Sequence, residues 1–322
     1  MDYDIFNGDA DGICALHQLR LAEPRPDAEL ITGVKRDIAL LERLRNQVAP
    51  GDVLTVLDIS MDSNKLALLD LLQRGCQVWY ADHHFAGDIP DAAALTVHID
   101  PSPEVCTSLI VNRLLGGRFL PWAVVAAFGD NLHASARQAA VPLALGEHQL
   151  AMLRELGELL NYNGYGERVE DLHCSPQDLY RAVRSFENPF DFMAKSTVLA
   201  GLKAGFDADM AAARSQMPIR EEVSGRIYQF PAEPWSRRAA GVFSNEKARE
   251  RPELAHALLV DNNDGTFLVS VRAPLNNKRG ADTLCRAFPT GGGRAGAAGI
   301  NALPQERREE FIVQFFITFS EQ

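Results

Sequence analysis

Tyr3-Asp4-Ile5-Phe6 runs without a break into Asn7-Gly8-Asp9-Ala10-Asp11-Gly12. An apolar run this short, ending in a cluster of turn-forming residues, reads as a buried strand that stops at a loop. The pattern recurs at residues 29–34, 53–58, 78–82 and 95–99. Between these strands, residues 13–21, 38–48 and 64–74 carry apolar side chains at helical spacing, with Ser63 placed as N-cap of the third. Strands alternating with helices predict an α/β fold, a parallel sheet with helices on both faces.

Beyond Pro121 the pattern turns helical, at 122–128, 148–160, 177–186 and 192–203. Strand-like runs return at 225–230, 257–260 and 266–271. The last two flank Asp261-Asn262-Asn263-Asp264-Gly265, a hairpin-turn composition. Helical spacing follows at 281–287 and 305–313. A chain of 322 residues exceeds what one core usually fills. The expected organisation is an N-terminal domain at 1–186, a helical linker at 187–220 and a smaller α/β domain at 221–322.

The formal charge of −11 argues against a grip on long duplex nucleic acid, where neutralised phosphates supply most of the affinity. No apolar run reaches the roughly 18 residues that span a bilayer. Met1-Asp2-Tyr3-Asp4 lacks the basic start of a secretory signal, so a cytoplasmic protein is expected. Five cysteines without a Cys-x-x-Cys pair argue against a disulfide framework and a zinc cluster.

Ligands of an open parallel sheet bind beyond the carboxyl ends of its strands. Three of those ends carry acids or imidazoles: Asp9 and Asp11, then Asp58, then Asp82-His83-His84. The helix ending near Gly129 adds Asp130-Asn131. An isolated Asp-x-Asp-Gly is a common turn, and a lone aspartate at a strand end is a common helix cap. Asp82-His83-His84 after an apolar strand is much rarer, and the four segments support one another. Carboxylates crowded into one cleft repel, a conflict that divalent cations resolve. Carboxylate with imidazole suits Mn2+ or Mg2+. A shared carboxylate can hold two ions about 4 Å apart, which activate water for phosphoryl transfer. Asp9 and Asp11 could reach two different ions from one tight loop.

Near the C-terminus stands Gly291-Gly292-Gly293-Arg294, followed by Ala295-Gly296-Ala297-Ala298-Gly299. Read as a loop, this glycine-rich backbone offers N–H groups to an anion. Arg294 adds a planar, bidentate donor for phosphate or carboxylate, and Arg272 could point to the same place.

The DxDG at Asp9, the lone Asp58, the DHH at Asp82, the later Asp130 and the distal GGGxxxAAG together resemble the DHH phosphoesterase superfamily with its DHHA1 C-terminal domain. That group includes RecJ-type exonucleases, nanoRNases and cyclic-dinucleotide phosphodiesterases. Family II inorganic pyrophosphatases share its N-terminal metal site. The resemblance spans residues 9–299. It implies two divalent ions, Mn2+ foremost with Mg2+ or Co2+ as alternatives. Asp9 would serve the first ion and Asp11 the second, with Asp58 bridging both. His83 and Asp130 would complete the second. His84 would face the scissile phosphate, and Asp82 would orient a histidine. Arg272, Gly291, Gly292, Gly293 and Arg294 would hold substrate, and the family architecture suggests closure of two domains over a cleft.

Two departures bear on this. Many relatives place a histidine four residues before the first DxD aspartate as a ligand of the first ion, and this chain has Ile5 there. The usual GGGH is here GGGR, which keeps phosphate affinity and loses a proton shuttle. The expected function is hydrolysis of short oligonucleotides or nucleotides, with no membrane partner; a homodimer is compatible with it. The alternatives are an exopolyphosphatase or pyrophosphatase-like activity, or a catalytically silent nucleotide-binding module. The complete acidic set weighs against the silent module.

Overall fold

The computed structural model describes residues 1–320 and divides into two units, meeting in sequence at Ala204 and Gly205. In the first unit, β1 (Asp2–Phe6), β2 (Glu29–Ile31), β3 (Val53–Leu57), β4 (Gln77–Asp82) and β5 (Leu95–Ile99) form a fully parallel sheet. Its order is β2-β1-β3-β4-β5. The winding reverses between β1 and β3, so the loops after these two strands part and leave a crevice at their carboxyl ends. Ile5 and Phe6 of β1 are both fully buried, as a central strand covered on both faces requires. One face packs Ile5, Val56 and Tyr80 against Leu41, Leu68 and Leu71.

Among the described residues, nine helices accompany this sheet: α1 (Ala10–Ala22), α2 (Met61–Gln73), α3 (Thr107–Leu114), α4 (Leu120–Gly129), α5 (His133–Ala140), α6 (Glu147–Asn163), α7 (Pro176–Val183), α8 (Pro189–Lys195) and α9 (Thr197–Arg214). The last carries the chain across the boundary between the units. Residues 122–128 of α4 are all buried, the mark of an interior helix. It crosses α6 closely: a Cβ on Gly157 would lie 2.2 Å from the Val125 carbonyl oxygen, so only glycine fits. At the end of α4, Gly129 lies against Ala10, the first residue of α1. Asp130, its C-cap, is thereby delivered to the loop that bears Asp9 and Asp11.

Several expectations are corrected. Residues 38–48 hold only a 3-10 turn, Leu40–Leu44. The Asn64 side chain takes the Leu41 N–H (3.2 Å) and donates to the Ile38 carbonyl (2.6 Å), diverting groups that a helix would pair internally. The N-cap of α2 is Ser60, whose hydroxyl accepts from the Ser63 N–H. The run 192–203 breaks at Ser196, whose backbone is extended and whose hydroxyl accepts from the Leu199 N–H. Gly291–Arg294 is a strand and not a loop.

The second unit is a six-stranded mixed sheet, β6 (Arg220–Glu222), β7 (Gly225–Phe230), β8 (Ala255–Asp261), β9 (Thr266–Arg272), β10 (Gly291–Arg294) and β11 (Ala297–Pro304). Its order is β10-β11-β9-β8-β7-β6, with β7 and β8 parallel and the rest antiparallel. Helix α10 (Pro234–Glu250) packs on one face through Phe243 against Tyr228 and Leu258. Helices α11 (Ala281–Arg286) and α12 (Arg308–Ser320) cover the other with Leu284, Phe311 and Phe315.

His256 is buried in this sheet. Burial, and then the charge of Arg226 on the neighbouring strand, push its pKa down to about 4. Its unfolded value is near 6.5, so the unfolded chain takes up the proton first. Stability is therefore lost as pH falls from about 6.5 towards 4. At pH 5 this one residue costs about 2 kcal/mol. His256→Leu should flatten the acid side of the second unit's stability profile by that amount. Urea midpoints at pH 7 and pH 5 check it, and equal pH sensitivity in both proteins would refute it.

Candidate metal centre

The acids expected from sequence meet at the carboxyl edge of the parallel sheet. Asp9 is the N-cap of α1, where its Oδ1 accepts from the N–H groups of Asp11 (3.0 Å) and Gly12 (3.1 Å). Asp11 points the other way, to the start of α3. The Thr107 N–H donates to one carboxylate oxygen (2.7 Å) and the Ser108 N–H to the other (2.8 Å). A helix N-terminus with free N–H groups stabilises an anion there. Asp58 follows β3 with φ 59°, the left-handed region that non-glycine residues rarely adopt, a common cost at functional sites. Its Oδ1 accepts from the Thr107 hydroxyl at 3.0 Å.

The two histidines are held differently. His83 Nδ1 lies 2.9 Å from the Val105 carbonyl oxygen. A carbonyl can only accept, so Nδ1 carries the proton and Nε2 presents a lone pair. That nitrogen lies 3.5 Å from Asp58 Oδ1 and 3.6 Å from Asp130 Oδ2. His84 Nδ1 instead meets Asp82 Oδ1 at 2.7 Å, with Asp82 fully buried and His84 partly open to solvent. The sequence expectation that Asp82 orients a histidine thus falls on His84, while a backbone carbonyl fixes His83.

Charge is unevenly matched across the cluster. Burial first, then the charges of Asp11, Asp9, Asp130 and Asp82, hold the Asp58 carboxyl well above the usual carboxylate range. Burial also raises Asp130, against the pull of Lys35. Burial would raise Asp9 too, but Lys35 and the Gly12 N–H outweigh it and leave its carboxyl below that range. The hydrogen bond to Asp82 raises His84.

Lys35, Thr107, Ser108 and Asn161 were not expected at the centre. The Lys35 ammonium contacts Asp9 Oδ2, Asn161 Oδ1 at 2.8 Å and Asp130 Oδ1 at 3.4 Å. A signal for it exists: Lys35 follows the strand read at 29–34, so it shares the carboxyl edge with Asp9 and Asp58. Thr107 and Ser108 carry a weaker one, as small hydroxyl residues opening a helix.

Two donor sets could each hold a divalent ion, and they share His83, whose Nε2 has a single lone pair. Ligand atoms of Asp11, His83 and Asp130 lie within 4.8 Å of one another, as do those of Asp58, His83 and His84. A first ion at Asp9 fits poorly: Asp9 belongs to neither set, its Oδ2 is taken by an ammonium, and Ile5 offers no donor.

Of the residues expected to contact substrate, His84 lies in the first unit and Arg272, Gly291, Gly292, Gly293 and Arg294 in the second. Strand register sets Arg226, His256, Arg272, Ala297 and Arg294 in one row across β7, β8, β9, β11 and β10. Arg272 and Arg294 thus flank Ala297 on one face, and Arg272 donates to Asn245 Oδ1 at 2.8 Å. Gly291, Gly292 and Gly293 form the edge strand leading to Arg294, which leaves backbone groups along its outer side unpaired within the sheet.

The fold is similar to that of solved structures that include a DHH domain. The exonuclease RecJ bound to manganese aligns with a TM-score of 0.65 and 16% identity, over 100% of this chain and 90% of that one. The DHH domain of a member of a ribosomal-protein family gives 0.63 and 14%, over 98% and 85%. The pGpG-specific phosphodiesterase PggH from Vibrio cholerae gives 0.54 and 11%, over 99% of each chain. No protein-family model and no curated protein sequence matches the chain.

Proposed function

We propose that this chain is a cytoplasmic, divalent-metal-dependent phosphoester hydrolase acting on short oligonucleotides or nucleotides. The observation that carries the reading is the His83 Nε2 lone pair, fixed from behind by Val105 and aimed between Asp58 and Asp130. Asp11, Asp58, His83 and Asp130 would hold the ion. When bound there, a divalent ion supplies the Lewis acidity that activates water and offsets charge on a phosphoryl group. His84 donates its Nδ1 proton to Asp82, and in the imidazolium form that this bond favours its Nε2–H can donate to a phosphoryl oxygen. A solved relative binds manganese and another is a pGpG-specific phosphodiesterase, which supports Mn2+ and a short nucleotide substrate. No helix among the described residues is long and apolar enough to cross a membrane.

The test is hydrolysis of a bis-aryl phosphodiester by the full chain with Mn2+. A panel of dinucleotides, cyclic dinucleotides, 3′-phosphonucleotides and polyphosphate follows. Turnover of a dinucleotide that chelation stops is the expected result. Turnover of polyphosphate alone would move the assignment to phosphoanhydrides, and no turnover at all would leave a binding module.

Arg294 and Arg272 would provide the phosphate recognition of the second unit. Arg294→Ala should then raise KM by roughly ten- to a hundredfold, with a smaller change in kcat, as expected for one lost charge-assisted contact. With −11 overall, each further phosphate of a long substrate meets repulsion rather than a basic track. Kinetics on substrates of two to about twenty nucleotides, a range set by that repulsion argument, check both points. An unchanged KM, or fastest cleavage of the longest substrates, would contradict them.

A further inference from the structure

We propose that the Lys35 ammonium stands in the place of the first of the two ions expected from sequence, so that the centre takes one divalent ion beside a built-in cation. This rests on the metal-dependent reading above and deepens it.

The lysine is positioned, not incidental. Its backbone N–H donates to the Gly164 carbonyl at 2.9 Å, and its carbonyl accepts from Asn7 Nδ2 at 3.3 Å. Its loop is pressed onto the loop of Asp9: a Cβ on Gly8 would lie 1.9 Å from the Gly33 carbonyl oxygen. The ammonium then reaches Asp9, Asn161 and Asp130 with its three N–H groups. At the position where many relatives supply an imidazole, Ile5 is wholly buried in the apolar core.

Charge matching gives the same answer. Asp9 is met by Lys35, Asp11 by the N-terminus of α3, and Asp82 by His84. Asp58 and Asp130 remain, facing each other across His83 Nε2. Two carboxylates without a full counter-charge ask for one divalent cation. A second cation at Asp9 would meet the ammonium as a like charge, in a setting with little water to screen it.

Lys35 is thus a positioning residue, and its role is read by counting ions. Metal-stripped full-length protein is titrated with Mn2+ by calorimetry, for wild type, Lys35→Arg and Lys35→Ala. The expected result is one Mn2+ per chain for wild type and Lys35→Arg, and a second binding event for Lys35→Ala. Lys35→Gln keeps most of the side chain's length and loses its charge. It replaces Lys35→Ala if that variant does not fold, with two ions again expected. Two ions on wild type, or a single ion on the folded uncharged variants, would overturn the inference and leave the proposed hydrolase standing. One ion on wild type and two on the uncharged variant, without phosphodiester hydrolysis, would do the reverse. No Mn2+ bound by wild type would sink both.

Discussion

Asp58→Asn is expected to lower kcat by roughly a thousandfold or more at saturating Mn2+, the scale seen when a preorganised charge-stabilising group is removed from an active site. The fold should survive. Asparagine tolerates the left-handed backbone at this position, and its carbonyl oxygen can still accept from the Thr107 hydroxyl. The metal-free variant should even melt higher than wild type, because a buried carboxylate crowded by Asp11, Asp9 and Asp130 is replaced by a neutral group of the same shape. Both readouts are simple: kcat with Mn2+, and thermal melts in chelator. More than about a tenth of the wild-type rate, far above the loss expected from such a group, would mean that Asp58 does not hold the ion.

The second large effect is expected from Gly8→Ala, which touches no ligand. The added methyl would lie 1.9 Å from the Gly33 carbonyl oxygen and 2.6 Å from Pro176 Cγ. Backbone cannot yield as a flexible side chain does, so the two loops must separate. Overpacking of this kind should cost about 3 kcal/mol or more. Asp9 and Lys35 ride on those loops, so activity should fall by about a hundredfold, as a displacement near 1 Å can cause. Urea midpoint and kcat/KM are the measurements. A variant as stable and as active as wild type would show that the approach of the loops is not needed.

The strands were the most legible part of the sequence, and for a definite reason. Buried parallel strands are short, apolar and ended by turn residues, so β1, β3 and β4 could be read from composition. The acids at their ends followed from the strand ends themselves. What escaped was set by tertiary contacts. The run 38–48 has helical spacing, but Asn64 claims its backbone groups from another segment. Helix α3 has Cys106 as its N-cap, which gives no side-chain hydrogen bond, so only the weak signal of Thr107 and Ser108 announces it. Gly291–Gly293 has the composition of a loop and becomes a strand because β11 pairs with it in register. Lys35 escaped because a single lysine after a short edge strand carries no motif; its meaning lies in Asp9, Asp130 and Asn161, which only the fold assembles.

The capping of α3 by Asp11 has a consequence for the order in which the chain folds. The helix finds its N-terminal partner 96 positions earlier in the chain. Short isolated helices are marginal in water, and this one spans eight residues without a cap of its own. It gains that support only when a loop of nearly a hundred residues has closed, an entropic cost incurred before any native contact offsets it. Helix α3 is therefore expected to form late, in the same event that pins Asp11 and gives Asp58 its Thr107 partner. The ion-binding geometry is then not a set of preformed parts awaiting docking. On this expectation it forms as one cooperative step when residues 11 and 107 meet.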